Sequence, residues 1–187
     1  MFNNFYGIYK GARNGSWRFL LDYKVDKLPL DLNAVAKTMG IKIRKDTSGI
    51  LLPSERGATI TDGNKTYILL KPSSVEVMRY TTAHELGHIF LGHPMINGRY
   101  GYTFMNDTFL EYQAERFAID ILAPACVLWG LGLHTPQEIA EVCNISMTSA
   151  IKRANRMEEL YRRNMFLSHP LEREVFKQFE KFIEENK

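Results

Sequence analysis

The stretch His84-Glu85-Leu86-Gly87-His88 decides how this chain is interpreted. Its two histidines are four residues apart, so on a helix both imidazoles lie on the same face, one turn apart. Such a pair can bind one metal ion, and a glutamate directly after the first histidine lies beside the metal-bound water as its general base. The sequence therefore predicts one catalytic Zn²⁺ ion bound by His84 and His88, with Glu85 as the catalytic residue.

The residues around this stretch indicate a helix. Ser73 and Glu76 have the S-x-x-E spacing of a capping box, which starts a helix by satisfying its free N–H groups. Gly92 and Pro94 follow about one turn after the second histidine, where a helix would end. The metal-binding pattern is thus predicted to lie in the second half of a helix.

A catalytic zinc usually has three protein ligands and a water. The longer pattern with a third histidine six residues after the second is excluded, because position 94 is Pro94 and position 91 is Leu91. His93 lies one residue out of place, beyond the predicted helix end. It is kept as an alternative metal ligand or as a residue that contacts a ligand without binding the metal itself.

A carboxylate on the next predicted helix is the favoured third ligand. Glu111 and Glu115 are one turn apart on that helix, which begins at Asp107 or Thr108. We assign Glu111 to the metal and Glu115 to a hydrogen bond with a ligating imidazole, and the reverse assignment is the alternative. The stretch 94–107 between the two helices is predicted to be a loop. Tyr100 and Tyr102 in this stretch, together with His93 just before it, are the candidate donors to a transition-state oxyanion.

The remaining patterns predict an α+β fold with a small, mostly antiparallel sheet packed with helices. Ile41-Lys42-Ile43 alternates like a strand, and two β-rich runs on either side of Asp62-Gly63 predict a hairpin. We divide the 187 residues into a zincin-like catalytic core at residues 1–133, including N-terminal helices, and a helical C-terminal region at 134–187 that packs on it.

Composition limits the class of protein. The chain is 45% hydrophobic with a formal net charge of +3, which is typical of a folded globular protein and does not require a nucleic-acid partner. It has neither a signal-peptide pattern nor an apolar run long enough for a membrane span, so a cytoplasmic protein is expected. Cys126 and Cys143 fit a reducing compartment as small buried residues.

The C-terminal region supports a second interpretation. Helices predicted from Gln137 to Cys143 and from about Met147 to Arg163 resemble a helix-turn-helix, and the second carries Lys152, Arg153 and Arg156. The alternative to an enzyme is therefore a DNA-binding or partner-binding regulatory protein whose metal site is structural or sensory. DNA binding is possible but not favoured, because acidic residues dilute the basic face.

Three segments together resemble a known family. Thr82-Ala83-His84-Glu85-Leu86-Gly87-His88, followed by Glu111-Tyr112-Gln113-Ala114-Glu115-Arg116-Phe117-Ala118 and Leu122-Ala123-Pro124, is similar to the ImmA/IrrE family of bacterial metallo-endopeptidases. The resemblance covers residues 29–165, although Glu115 stands where that family mostly has Asn or Asp. It implies a gluzincin-like site with a single zinc, and a helix-turn-helix repressor from a phage, another mobile element or a stress regulon as the protein substrate. The oligomeric state is left open.

Overall fold

The computed structural model describes residues 2–98 and 101–187, and the side chains of residues 9–97 and 104–187. It has the predicted α+β architecture. The helices are α1 (Phe2–Asp22), α2 (Leu32–Thr38), α3 (Val75–Phe90), α4 (Thr108–Leu122), α5 (Ala125–Gly130), α6 (Pro136–Cys143), α7 (Met147–Arg162), α8 (Pro170–Gln178) and α9 (Glu180–Asn186). The strands are β1 (Ile41–Lys45), β2 (Gly57–Asp62), β3 (Lys65–Leu70), β4 (Met95–Gly98) and β5 (Gly101–Phe104).

The strands form one sheet in the order β1-β3-β2-β5-β4. β1 runs parallel to β3, and the other neighbouring strands are antiparallel, so the prediction of a mostly antiparallel sheet is confirmed. The predicted hairpin is also confirmed: β2 and β3 pair along their whole length on either side of the turn. Gly63 has a φ of +57° in that turn, a conformation that costs glycine least.

The prediction of a loop at 94–107 is wrong for part of that stretch. β4 and β5 pair there as an antiparallel edge of the sheet, with Met95 opposite Phe104. Each strand is only four residues long and contains a glycine, so the turn residues conceal the short β pattern.

Several helix starts follow from side-chain caps. The Asp31 carboxylate accepts the N–H of Ala34 at the start of α2, and Thr135 with Glu138 forms a capping box at the start of α6. The start of α3 is corrected by one residue, since the Ser74 hydroxyl, rather than that of Ser73, accepts the N–H of Val77. Both serines have a hydroxyl that can cap a helix, and the residue at which the backbone becomes helical decides which of them does so.

Three helices form the layer that holds the site. α3 packs on α4 and also contacts β2 and β3, while α1 packs on the other side of α4. Phe19 of α1 meets Phe90 of α3 and Phe117 of α4 edge to face, with centroid separations of 5.2 Å in both pairs. Because Phe19 and Phe117 are fully buried, this aromatic junction fixes α3 and α4 relative to each other.

The helical region after residue 134 packs on the rest of the chain. Arg79 of α3 donates to the carbonyls of Leu30 and Asn144, and Gln178 of α8 donates to those of Leu20 and Val25. The chain ends in two short helices, α8 and α9, which are separated at Phe179. The hydrophobic core is continuous across residue 134, and the domain boundary placed there stays a prediction.

No helix in the described part of the chain is both long and apolar enough to cross a membrane.

Candidate metal centre

α3 brings His84 and His88 together as the spacing predicts. Their Nε2 atoms are 3.1 Å apart, and their ring planes are inclined by 66°. His88 is buried and stacks on Phe104 of β5 with ring centroids 4.8 Å apart, whereas His84 is partly exposed. Phe104 on β5 therefore restricts the rotation of the His88 imidazole.

Glu111 completes the group from the first turn of α4. Its carboxylate lies 3.1 Å from the Nε2 of His84 and 3.4 Å from the Nε2 of His88. Ligand atoms around a tetrahedral zinc with bonds of ~2.0–2.1 Å lie ~3.3 Å from one another, so these separations fit one ion. The His84, His88 and Glu111 group could hold a metal ion.

The position of Glu111 depends on a close approach of two helices at Gly87. A Cβ added there would lie 2.9 Å from the Phe117 side chain and 3.3 Å from the backbone of Ala114. Glycine thus allows α4 to pack directly against the helix that carries the histidines. Asp107 caps α4 by accepting the N–H groups of Phe109 and Leu110, as one of the two predicted caps.

Glu115 lies one turn further along α4 and is exposed at the wall of the cleft. Among the described residues it makes no hydrogen bond to either imidazole, although its charge partly offsets the lowered pKa of His84. The structure therefore brings Glu111, and not Glu115, to the two histidines.

Glu85 is buried beside this group. Its Oε2 accepts a hydrogen bond of 2.7 Å from the Thr59 hydroxyl on β2. Burial raises the pKa of the Glu85 carboxyl to about 7, the charge of Glu111 adds to the rise, and the Thr59 hydrogen bond opposes it. A carboxyl with this pKa can both accept and return a proton near neutral pH.

His93 lies behind His88 rather than among the ligand atoms. Its Nδ1 is 3.0 Å from the Nδ1 of His88, and its Nε2 is 3.1 Å from the Oε1 of Gln113 on α4. If the Gln113 carbonyl oxygen accepts from His93 Nε2–H, then His93 Nδ1 is an acceptor and His88 Nδ1 must donate to it. This order of protons leaves the lone pair of His88 Nε2 facing His84 and Glu111.

The imidazoles also have lowered pKa values. The pKa of His88 is lowered to about 3, chiefly by burial, with positive charge on His84 and His93 contributing to the same shift. Burial likewise lowers the pKa values of His84 and His93. All three rings are therefore neutral at pH 7, which is the form in which histidine binds metals.

The group opens into a cleft of about 630 Å³ between α3, α4 and the sheet. One wall is formed by residues 57–60 of β2. In the described part of the chain, β2 pairs with β5 at the next residue, where Thr61 lies opposite Tyr102. Tyr80, one turn before His84, lines the cleft, and burial together with Glu115 raises the pKa of its phenol to about 12. Its hydroxyl is therefore a hydrogen-bond donor at neutral pH.

The predicted oxyanion donors have different outcomes. Tyr100 lies outside the described residues, as does the side chain of Tyr102. His93 points at the far side of His88. Sequence interpretation did not assign roles to Thr59, Gln113 and Tyr80, and of these Tyr80 has the detectable signal, since it lies four residues before His84 on the same helix face.

The basic residues of the predicted helix-turn-helix are mostly engaged within the protein. Arg153 is only 1% exposed and donates to Asp120 of α4 at 2.8 Å. Arg156 donates to Glu159 and, at 2.7 Å, to the Tyr9 hydroxyl. Lys152 alone of the three is exposed, so α7 offers DNA phosphates few free cations.

No family model matches this chain, and no curated protein sequence matches it either. The resemblance to the ImmA/IrrE family accordingly rests on the two motifs around His84 and Glu111.

Proposed function

We propose that this protein is a zinc-dependent endopeptidase. The observation that carries the proposal is the buried carboxyl of Glu85 beside the converging His84, His88 and Glu111 ligand atoms, all at the side of one open cleft. Zinc is favoured because two neutral imidazoles and one carboxylate form a known ligand set for catalytic zinc. When bound there, the ion would polarise a carbonyl and lower the pKa of a water.

The residues of the chain divide the work of peptide hydrolysis between them. Glu85 takes a proton from the attacking water and returns it to the leaving amine, while Thr59 keeps its carboxylate in place. Tyr80 is the candidate donor to the oxyanion, because it lines the cleft as a protonated phenol.

The cleft wall favours a polypeptide substrate. Residues 57–60 of β2 pair with β3 on one side. On the other side, the pairing of β2 with β5 in the described part of the chain is at Thr61. An extended peptide can add to such a strand edge through main-chain hydrogen bonds, which orients it independently of its sequence. A helix-turn-helix repressor is the substrate that the family resemblance suggests, and the cytoplasm is the location that fits it.

The alternative is a regulatory protein with a structural or sensory metal site. A closed structural site would have a fourth protein ligand, whereas the described ligand group has three members and faces an open cleft. This geometry favours the enzyme.

The Glu85→Gln variant tests the proposal. Zinc-loaded protein is incubated with a peptide library made from a digested proteome, and new termini are identified by mass spectrometry. We expect the wild type to cut internal peptide bonds and Glu85→Gln to lose at least about a hundredfold in rate while it retains one zinc per chain. Glu141→Gln, at an exposed position of α6, is the control. Undiminished cleavage by Glu85→Gln would refute the proposed mechanism.

A further inference from the structure

A second groove continues from the candidate metal cleft. It has a volume of about 640 Å³ and lies between α3, α4 and the first half of α7. Arg56, Tyr80 and Glu115 line both hollows, so the two meet along a shared wall. A chain that lies across the metal site can therefore reach into the second groove.

The second groove is rich in positive charge. Its lining includes Arg56, Arg116, Lys152, Arg153 and Arg156, against Glu115 as its one carboxylate. Behind the lining, the single carboxylate of Asp120 pairs with both Arg116 and Arg153. The groove consequently keeps an excess of cations.

Four of its charged groups have unused hydrogen-bonding capacity. The side chains of Arg56 and Lys152 are exposed and have no hydrogen-bond or ion-pair partner among the described residues. Arg153 and Arg156 each have a buried Nε that lacks a hydrogen-bond partner. The hydroxyls of Ser146 and Ser149 and the side chain of Thr148 border the same space at the start of α7. Such an arrangement suits an anionic oxygen ligand.

We propose that the second groove binds acidic side chains of the polypeptide substrate, next to the bond that is cut. This inference rests on the proposed peptidase function and deepens it by naming the substrate class. Arg56, just before β2, and Lys152, on α7, both line the groove and attract carboxylates, which favours acidic sequences through charge complementarity. The continuity with the metal cleft makes the groove a determinant of specificity rather than a remote surface.

The geometry favours a peptide over a nucleic acid. A duplex requires a protruding helix face with several free cations, whereas this groove is concave and Arg153 and Arg156 are held by internal partners. A carboxylate side chain on an extended peptide needs only one or two free cations, and Arg56 and Lys152 line the groove as such.

Peptide binding by full-length Glu85→Gln protein tests this proposal separately from catalysis, since the probe is to stay intact. The probes are fluorescein-labelled peptides of one length that differ only in carrying a pair of Glu, Gln or Lys residues. Fluorescence anisotropy should show the Glu peptide binding about tenfold more tightly than the Gln peptide at low salt, with the difference reduced at physiological salt. Arg56→Ala and Lys152→Ala should each weaken binding of the Glu peptide about three- to fivefold.

Arg162→Ala is the matched control. It removes the same charge as Lys152→Ala, and Arg162 is exposed at the other end of α7. Equal affinity for the Glu and Gln peptides would overturn the proposal, as would an equal loss in Arg162→Ala and Lys152→Ala. Salt-sensitive binding of duplex DNA that is lost in Lys152→Ala would assign the groove to nucleic acid instead. If acidic peptides bind as expected but the wild type cuts nothing, the groove stands and the peptidase function fails.

Discussion

His93 and Gln113 show how residues outside the ligand group can prepare it for metal. His93 Nδ1 accepts a hydrogen bond from His88 Nδ1–H only if Gln113 fixes the other His93 nitrogen as the donor. Without that order, His88 can adopt the tautomer in which Nε2 carries the hydrogen and cannot bind metal. The neutrality of the rings and their orientation are thus separate requirements.

We expect His93→Leu and Gln113→Leu to lower zinc affinity by about tenfold to a hundredfold, because the orientation of His88 is lost. Gln113→Glu keeps an acceptor for His93 and should restore much of the affinity. Competition with a fluorescent chelator measures the constants, and Gln137→Leu, an exposed change on α6, is the control. An unchanged affinity in both Leu variants would show that the relay does not orient His88.

At the scale of residues, sequence interpretation succeeds where the chemistry is local. His84, Glu85 and His88 share one helical turn, and Glu111 follows at the start of the next long helix. Thr59 lies 26 positions from Glu85, and Gln113 lies 20 from His93, so no spacing rule connects these pairs. Their contacts depend on how the sheet and α4 pack.

At the scale of elements, the contact between α3 and α4 sets the geometry of the His84, His88 and Glu111 group. Gly87→Ala should raise the helix propensity of α3 by about 1 kcal/mol, but its methyl group meets Phe117 and the backbone of Ala114. Overpacking of this kind costs about 1–3 kcal/mol, and relief by separating the helices would move Glu111 from the histidines.

We therefore expect Gly87→Ala to lower both the thermal midpoint of the metal-free protein and its zinc affinity, the latter by about tenfold. Gly11→Ala on α1 is the matched control, because its nearest neighbour would be Gln113 at 3.8 Å, an ordinary contact. That variant should be as stable as the wild type or more so. Calorimetry and zinc titration of both variants give the comparison, and full zinc affinity in Gly87→Ala would contradict the role assigned to the helix contact.

The loop before β2 has its own organising group, the buried carboxylate of Asp46. It accepts from the Ser48 hydroxyl and from the N–H groups of Gly49, Leu51 and Leu52, and it thereby shapes one wall of the cleft. The Ser48 hydrogen bond and the three backbone donors lower the pKa of Asp46, while partial burial opposes them.

Because the folded pKa is below the unfolded one, this carboxylate stabilises the fold above its unfolded pKa of about 4, and the contribution is lost as pH falls through the folded value. We expect Asp46→Asn to unfold at lower urea concentration than the wild type near neutral pH, with the gap closing under acidic conditions. Urea titrations across this range test it against the exposed Asp26→Asn. If the difference in urea midpoint between Asp46→Asn and the wild type does not change with pH, the negative charge of Asp46 is not the cause of the stabilisation.

Among the elements, those with side-chain caps were predictable and those defined by pairing were not. Asp31, Asp107 and the Thr135 capping box mark helix starts through contacts within a few residues. β4 and β5 exist because they pair with each other and with β2, and a four-residue strand has too little pattern to indicate this in advance.

At the scale of the whole molecule, specific contacts join the C-terminal helices to α3 and α4, which carry the candidate metal ligands. Arg153 of α7 is buried against Asp120 of α4, and Arg79 of α3 holds the turn before α7. The sequence predicted a helix pair in this region, but not that Arg153 would face inward, because a lone arginine in a basic stretch is ordinarily solvated. The core is shared, so the two halves should unfold together.

The two tryptophans allow this coupling to be measured, because each packs against the C-terminal region at a different place. Trp17 of α1 is buried and lies against His169, with ring centroids 5.0 Å apart, while Trp129 of α5 stacks on Phe166, with ring centroids 5.5 Å apart. Trp129→Phe leaves Trp17 as the fluorescent reporter, and Trp17→Phe leaves Trp129.

Zinc at about a thousand times its dissociation constant should stabilise either variant by about 4 kcal/mol, as seen in urea titrations followed by fluorescence. Because α3 and α4 carry the ligands, Glu111→Ala should abolish the shift in both. A Trp129 transition that does not move with zinc would mean that the C-terminal helices unfold separately from the metal site.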